Sequence, residues 1–394
     1  MFRREESFIE VGSHQRAKSG QAISGDVFLS EKVKHEPRIV SVLADGLGSG
    51  VKASVLATMT ATMALKFTVS AMDICRSAEI IMDTLPICSE RQISYSTFTI
   101  VDMDKSGLTR IIEHGNPSFL LLRPAGDMNV EKRQLRPKRW SDRVITYSTF
   151  EVQRDDRILF FSDGVTQAGM GCVRTPFGWG LENAKAYAQE LIAENPCISA
   201  RELSRRMVVR AREVDGLLCK DDISCGVVYF RRPRELLVLT GPPFNRTHDH
   251  DLAMMAMSTP GRKVICGGTT ANIIARRLRR EIQNDLGQSR DTRIPPTARM
   301  EGFELVTEGA LTLSEVLRLL EEGIPEQAHP NAAVRLAAML LDSDIVRFAV
   351  GTSVNEAHQD PEIPVEIDLR RNIVKRIAQL LEKKYMKRAH IQYL

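Results

Sequence analysis

The chain has 394 residues, of which 43% are hydrophobic and 26% charged, and its formal net charge is +4. That length accommodates two or three ordinary domains, and the composition lies inside the range of soluble globular proteins and outside that of disordered chains. The basic residues are spread along the sequence, so charge gives no reason to expect nucleic-acid binding.

The start, MFRREESFIEVGSHQ, has no apolar signal core, and no stretch approaches the roughly 18 apolar residues of a membrane span. A cytoplasmic chain with no membrane partner is expected. The seven cysteines are odd in number and form no CxxC pair, which predicts free thiols.

In chain order, Val27 to Leu29 and Ile39 to Ala44 flank the charged turn EKVKHEPR and predict a hairpin. From Val51 to Leu85 the sequence is rich in Ala, Met, Leu and Ile without Gly or Pro, which predicts one or two helices. YSTFTIVDMD, LTRIIEHGN and SFLLLRP follow as an antiparallel meander. RILFFSDGV predicts a buried strand, LENAKAYAQELIAE and ISARELSRRMVVRAREVDG amphipathic helices, and KDDISCGVVYF a closing strand.

After Arg231-Arg232-Pro233-Arg234 the style changes to strands alternating with helices, from LLVLTG through KVICGG and FELVTEG to IVRFAVGT. That alternation predicts a parallel or mixed α/β domain. The domains expected are therefore 1–232 and 233–394. The polar run between Gln283 and Arg299 is expected to be a loop. The last helix, from about Asp368, is expected to pack on its own domain or on a second subunit, a homodimer being the form considered.

Four acid-bearing sites share one context, at the start or end of predicted strands: Asp26 in SGD, Asp45 in ADG, Asp163 in SDG, and Asp221 with Asp222 in KDDIS. Strand ends lie at a sheet rim, where residues distant in sequence can converge. Hard cations such as Mg²⁺ and Mn²⁺ need converging oxygen ligands. Gly46 has no Cβ, so it lets the chain turn sharply and can bring its carbonyl near an ion. The bland alternative is that each Asp-Gly is only a turn pair.

SGD, DGLGSG leading into a helix, FFSDGVTQA and DDIS, in this order, resemble the SpoIIE-like branch of the metal-dependent type 2C serine/threonine protein phosphatases over about residues 8–230. The resemblance implies two packed antiparallel sheets with helices outside, an α-β-β-α sandwich. It implies two divalent cations, Mn²⁺ or Mg²⁺, with Asp45 bridging them, the Gly46 carbonyl on one, Asp163 and Asp221 on the other, and Asp26 holding metal-bound water. Asp222 either shares the role of Asp221 or supports it.

The implied reaction is hydrolysis of a phosphoserine or phosphothreonine monoester by a metal-bridging hydroxide. The implied partner is a phosphorylated protein such as an anti-sigma-factor antagonist in bacterial signalling. Leu47 and Ser49 depart from the family where relatives carry histidine, and Ser224 where threonine is usual. His14, Arg16 and Lys18 are candidates for gripping phosphate, against an ordinary solvated surface. The helix beginning at Val51 reads as core packing or as a switch acting on Asp45 and Gly46.

In the second domain, KVICGGTTANIIARRL reads as strand, glycine turn and a helix capped by Thr269 or Thr270. Gly267, Gly268, Thr269 and Thr270 form a candidate site for a small anionic ligand. Gly309 with Thr312 as cap is expected to form a similar turn. A regulatory or ligand-sensing role is the corresponding expectation. THDHD partly resembles the metal motif of metallo-β-lactamase-like hydrolases, giving His248 and His250 as a rival metal pair, against a polar loop capped by Asp249. A non-catalytic binding module that keeps the phosphatase fold is the other alternative.

Overall fold

The computed structural model describes residues 7–33, 36–70, 76–77, 80–81, 84, 96–124, 130–135, 144–284, 297–325, 329, 331–353, 364–385 and 387–394. The chain divides into two compact units, Met1–Arg232 and Pro233–Leu394.

In the first unit, one antiparallel sheet has the order β1 (Phe8–Arg16), β10 (Ile223–Arg231), β9 (Arg157–Phe161), β6 (Leu120–Leu122). The other has the order β2 (Asp26–Lys32), β3 (Arg38–Gly46), β4 (Ser96–Asp104), β5 (Leu108–His114), β8 (Ile145–Glu151), β7 (Arg133–Leu135). Strand alternation builds the layers. Leu43, Val101, Met103 and Ile111 pack against Ile158, Phe160, Val228 and Phe230 between the sheets.

The opposite faces carry the helices. Val40, Val42, Ala44, Phe98 and Ile100 pack on α1 (Gly50–Val69). Leu159, Phe161, Val227 and Tyr229 share a core with α3 (Leu181–Glu194) and α4 (Ala200–Val214). This is the expected α-β-β-α sandwich. The apolar run from Ile223 to Phe230 has no alternation because both of its faces are covered.

Helix α1 meets the sheet through Ala53, Ala57, Ala61 and Ala64, all buried. Such short side chains let helix and sheet backbones come close, so the alanine richness has a packing cause. The remainder of the expected helical stretch, 71–85, lies mostly outside the described residues.

The expected meander is corrected at its third strand. Gly115 has φ +77° and Pro117 offers no N–H, so the chain leaves the sheet after β5, and β6 pairs with β9 in the other sheet. Beside it, the buried Asp156 accepts hydrogen bonds from Arg123 Nε at 3.0 Å, Arg123 Nη2 at 2.6 Å and the Gln153 N–H at 2.7 Å. Arg123→Ala strands that carboxylate without its cation and is expected to cost about 3 kcal/mol. The measurement is the urea midpoint at unchanged slope, and a loss below roughly 1 kcal/mol would show the pair to be dispensable.

The second unit is a seven-stranded mixed sheet in the order β13-β14-β15-β12-β11-β16-β17. Its strands are β11 (Glu235–Thr240), β12 (Arg262–Cys266), β13 (Gln283–Asn284), β14 (Ala298–Met300), β15 (Phe303–Thr307), β16 (Ile345–Val350) and β17 (Arg388–Tyr393). From β15 to β17 every pairing is parallel, while β13 and β14 are antiparallel additions. Helices α5 (Asp249–Ser258) and α6 (Gly268–Leu278) share a core on one face. Helices α7 (Ala310–Glu322), α8 (Ala332–Asp342) and α9 (Pro364–Lys383) pack on the other.

Two expectations change here, and a third is met in one of its two forms. The ends of the Gln283 to Arg299 run pair as β13 and β14, and 285–296 lie outside the described residues. The last helix buries Ile373, Val374, Ile377 and Leu381 in its own unit. The chain then adds β17, whose exposed and polar residues hid it.

Candidate metal centre

Asp26 and Asp45 face each other where β2 and β3 end their ladder. The Gly46 N–H donates to the Gly25 carbonyl at 3.3 Å, and the Ser96 hydroxyl donates to the Asp45 carbonyl at 2.9 Å. A Cβ on Gly46 would lie 2.2 Å from the Ala53 carbonyl oxygen, so only glycine lets the strand end run under α1.

The other sheet supplies the remaining acids. After β9, Ser162 turns the chain into the short helix α2 (Asp163–Thr166), with Asp163 first. Ser162 is fastened to the start of β10: its N–H donates to the Ser224 carbonyl at 3.1 Å and its hydroxyl accepts from the Ser224 N–H at 3.0 Å. A Cβ on Gly164 would lie 2.1 Å from the Asp222 carbonyl oxygen. Asp163 is thereby held next to Asp221 and Asp222. A Cβ on Gly25 would lie 2.9 Å from Asp222 Oδ2, so the two rims meet.

Burial first, and then neighbouring negative charge, raises the proton affinity of these acids. Asp26 is pushed up to about 7 by burial and by the Asp222 carboxylate. Asp45 is pushed higher, by burial and by the charges of Asp26, Asp163 and Asp221. Asp163 is raised by burial and by Asp221, and Asp221 by burial and by Asp222. The four acids therefore share one electrostatic field.

Within that field the adjacent pair divides. Asp221 acts on Asp45 and Asp163, whereas Asp222 acts on Asp26. Asp222 Oδ1 accepts the Lys18 N–H at 3.0 Å, and Asp221 Oδ1 accepts the Asp222 N–H at 2.9 Å.

Whether a hard cation fits turns on the donor oxygens. Both carboxylate oxygens of Asp26, and Oδ2 of Asp222, are buried without a hydrogen-bond partner. Buried carboxylate oxygens in that condition call for a proton or a cation. Among the described residues, no three or more His, Cys, Asp or Glu form a group that could hold a metal ion as the side chains stand. Like charges gain nothing by closing on one another, and a cation between them reverses that sign. The donor chemistry fits Mg²⁺ or Mn²⁺, with the final closure left to the ion.

Gly46→Ala is expected to lower the melting temperature by several degrees and to weaken manganese-induced stabilisation, because the new methyl displaces α1 or the strand end. A variant that melts like the parent and responds equally to manganese would break the proposed link between turn and helix.

Several supporting groups had no signal in the sequence. Gln167 Nε2 donates to Asp163 Oδ2 at 2.9 Å, and Gln15 Nε2 donates to the Ser224 hydroxyl at 3.2 Å. Asn116 donates to the Thr99 hydroxyl at 3.1 Å and accepts from the Thr97 hydroxyl, which bridges β4 beside Asp45. Only spatial adjacency reveals them.

The phosphate-gripping candidates separate. Lys18 lies by the acids, and its charge acts on Asp221. His14 lies by α4, where burial and then Arg16, Arg205 and Arg201 lower its proton affinity. Arg16 ends β1, paired with Ile223.

In the second unit, the expected turn at Gly267 and Gly268 is present at the carboxyl end of β12, with Gly267 at φ +133°. The capping expectation is corrected: Gly267 itself is the N-cap, and Thr269 and Thr270 lie inside the first turn of α6. Thr312 likewise does not cap α7, since its hydroxyl pairs with that of Thr307 at 3.0 Å. At THDHD the Asn245 side chain accepts from the Thr247 N–H at 3.2 Å and caps the short 3-10 turn Arg246–His248, and His248, not Asp249, is the N-cap residue of α5. Asp249 is buried and faces Arg276 at 3.4 Å, while His248 and His250 are exposed.

Residues 35–231, half of the chain, match the family model described as Stage II sporulation protein E (SpoIIE), and the chain belongs to that family of type 2C-like phosphatase domains. A solved structure of the phosphatase domain and a fragment of the regulatory domain of SpoIIE from Bacillus subtilis is similar, at 17% identity and a TM-score of 0.48. The match covers 58% of this chain and 64% of that one.

The RsbU and RsbW domains of a Mycobacterium tuberculosis protein match at 18% identity over 64% of this chain and 68% of that one, with a TM-score of 0.43. RsbX in complex with magnesium matches at 18% identity over 58% of this chain and all of that one, with a TM-score of 0.38. No curated protein matches the chain. Among the described residues, no helix is long and apolar enough to cross a membrane.

Proposed function

We propose that the first unit, Met1–Arg232, is a metal-dependent protein serine/threonine phosphatase that hydrolyses phosphoserine or phosphothreonine monoesters. The observation that carries this reading is the pairing of Asp26 with Asp45 at the ladder end, both carboxylate oxygens of Asp26 being buried without a hydrogen-bond partner, with Asp163 and Asp221 in the same electrostatic field. Asp26, Asp45, Asp163, Asp221 and the Gly46 carbonyl are the groups that would hold two Mn²⁺ or Mg²⁺ ions. Such ions, when bound, supply Lewis-acid charge and a water acidic enough to react at neutral pH.

The chain's own residues do the positioning. Gln167 restrains one oxygen of Asp163, and the backbone of Lys18 restrains one oxygen of Asp222, while the charge of Asp221 bears on Asp45 and Asp163. Asp221 is therefore the proposed direct ligand and Asp222 its support. The Lys18 ammonium, on the same side, is placed to attract a phosphoryl group. Family membership and a neighbour described in complex with magnesium support the reading.

The proposed partner is a phosphorylated signalling protein, an anti-sigma-factor antagonist being one such class, and the proposed role of Pro233–Leu394 is regulatory or ligand-sensing. A second reading, a binding module without turnover, draws on the lack of a closed metal-holding group among the described residues. The two separate in one assay: release of phosphate from a phosphoserine peptide with manganese, abolished by a chelator and by Asp163→Asn. Turnover that persists under both treatments defeats the metal-dependent reading of these acids, and no turnover in the parent protein favours the binding module.

A further inference from the structure

Two loops run directly out of the acid site and carry an unusual surface. Val173 is 101% exposed, Phe177 90%, Leu218 66% and Leu217 60%, with Met170 beside them at 45%. Single exposed apolar residues need no explanation, but a cluster of large ones on neighbouring loops does.

These loops are built. Asp215 joins them, its carboxylate accepting the Gly169 N–H at 2.9 Å and the Lys220 N–H at 2.6 Å. Lys220 Nζ crosses to the Met170 carbonyl at 3.0 Å. The Thr175 hydroxyl donates to the Gly169 carbonyl at 2.8 Å, and the Gly180 N–H to the Thr166 carbonyl at 2.8 Å. Leu217 is held at φ +68°, a left-handed backbone that a bulky residue seldom adopts, and its N–H donates to the Arg212 carbonyl at 2.8 Å. The chain thus maintains ordered backbone, and backbone strain, while leaving apolar side chains in solvent.

The neighbourhood of the patch indicates what it faces. The first loop begins at Gln167, which bonds Asp163, and the second ends at Lys220, next to Asp221. Arg174 is exposed and Arg212 half-buried beside the patch, and the exposed Lys220 pairs with Asp215 at 3.8 Å. Asp215 is buried and already bonded, and Glu213 is paired with Arg210 at 3.0 Å. The rim is cationic, which suits an acidic partner.

We propose that this patch docks the protein substrate, as a segment of a phosphoprotein carrying apolar and acidic residues beside its phosphoserine or phosphothreonine. The proposal rests on the phosphatase reading and adds to it a determinant of substrate choice outside the metal centre.

Two fluorescein-labelled phosphoserine peptides test it, one flanked by Leu, Phe and Glu, the other with those residues replaced by Ser. Both are applied to the full chain with manganese, and to the variants V173S/F177S and L217N/L218S. The parent is expected to bind the apolar acidic peptide at least about tenfold more tightly, and each variant to lose most of that preference. The ratio of peptide to p-nitrophenyl phosphate turnover should fall in parallel.

Equal binding of the two peptides by the parent, or variants that keep its preference, overturns the docking surface whatever the turnover. Patch-dependent binding without any turnover leaves the surface standing and removes the phosphatase reading. Circular dichroism and melting of both variants confirm the fold, and since L217N relieves a left-handed leucine, a stable variant is expected there.

Discussion

Asp45→Asn is expected to lower manganese-dependent turnover of a phosphopeptide by at least about a thousandfold while raising the melting temperature of the metal-free protein. The two effects have one origin. Asp45 is half-buried opposite Asp26 and feels the charges of Asp163 and Asp221, so its carboxylate is a burden to the fold until a cation arrives. The amide keeps the shape and removes the charge. Kinetics with p-nitrophenyl phosphate and a melting curve in chelator suffice. Unchanged turnover would remove Asp45 from the centre, and a lower melting temperature in chelator would show that the repulsion does not weigh on the fold.

The second large effect is a pH-dependent stability that manganese reverses. A carboxyl group whose proton affinity is raised by folding binds more protons in the folded than in the unfolded chain, so stability falls as pH rises. For Asp26 the fall runs from the unfolded value near 3.9 up to about 7, and for Asp45 it continues above that. The combined loss is on the order of several kcal/mol.

A cation compensates only the ionised acids and is bound only by the folded chain. The manganese-induced rise in melting temperature should therefore be several degrees larger at pH 8 than at pH 5.5. Equal rises at both pH values would indicate a cation bound elsewhere.

The acids of the candidate site stood out in the sequence only as a set, because four recur in one order at strand ends; any one Asp-Gly alone reads as an ordinary turn pair. Their supports did not stand out. Ser162 and Asn116 act through contacts with other strands, and Gln167, within the quoted FFSDGVTQA stretch, meets Asp163 only once α2 has formed. The capping expectations at Thr269, Thr270 and Asp249 went wrong for a related reason: helix-start residues indicate that a helix begins nearby without fixing which residue is the cap.

For the fold, the apolar runs from Ile39 and Ile223 announced themselves as strands. FIEVGSHQR and RAHIQY did not, being polar segments whose strand character comes from the partner they pair with. Sheet order was beyond reach. The departure of β6 to the opposite sheet depends on Gly115 and Pro117 acting together, and the order of β11, β12, β15, β16 and β17 depends on crossovers that local sequence does not encode.

The alanine seam under α1 has a mechanical consequence. Leucines would interlock as ridges and grooves and hold a helix at fixed steps. Ala53, Ala57, Ala61 and Ala64 offer an almost smooth track instead, along which a small slip of the helix start breaks few contacts, while Leu65, Met63, Phe67 and Val69 anchor the other end. The Ala53 carbonyl rests on Gly46, so such a slip bears on the turn that carries Asp45. A displacement of the helix start is therefore expected to be felt at Asp45.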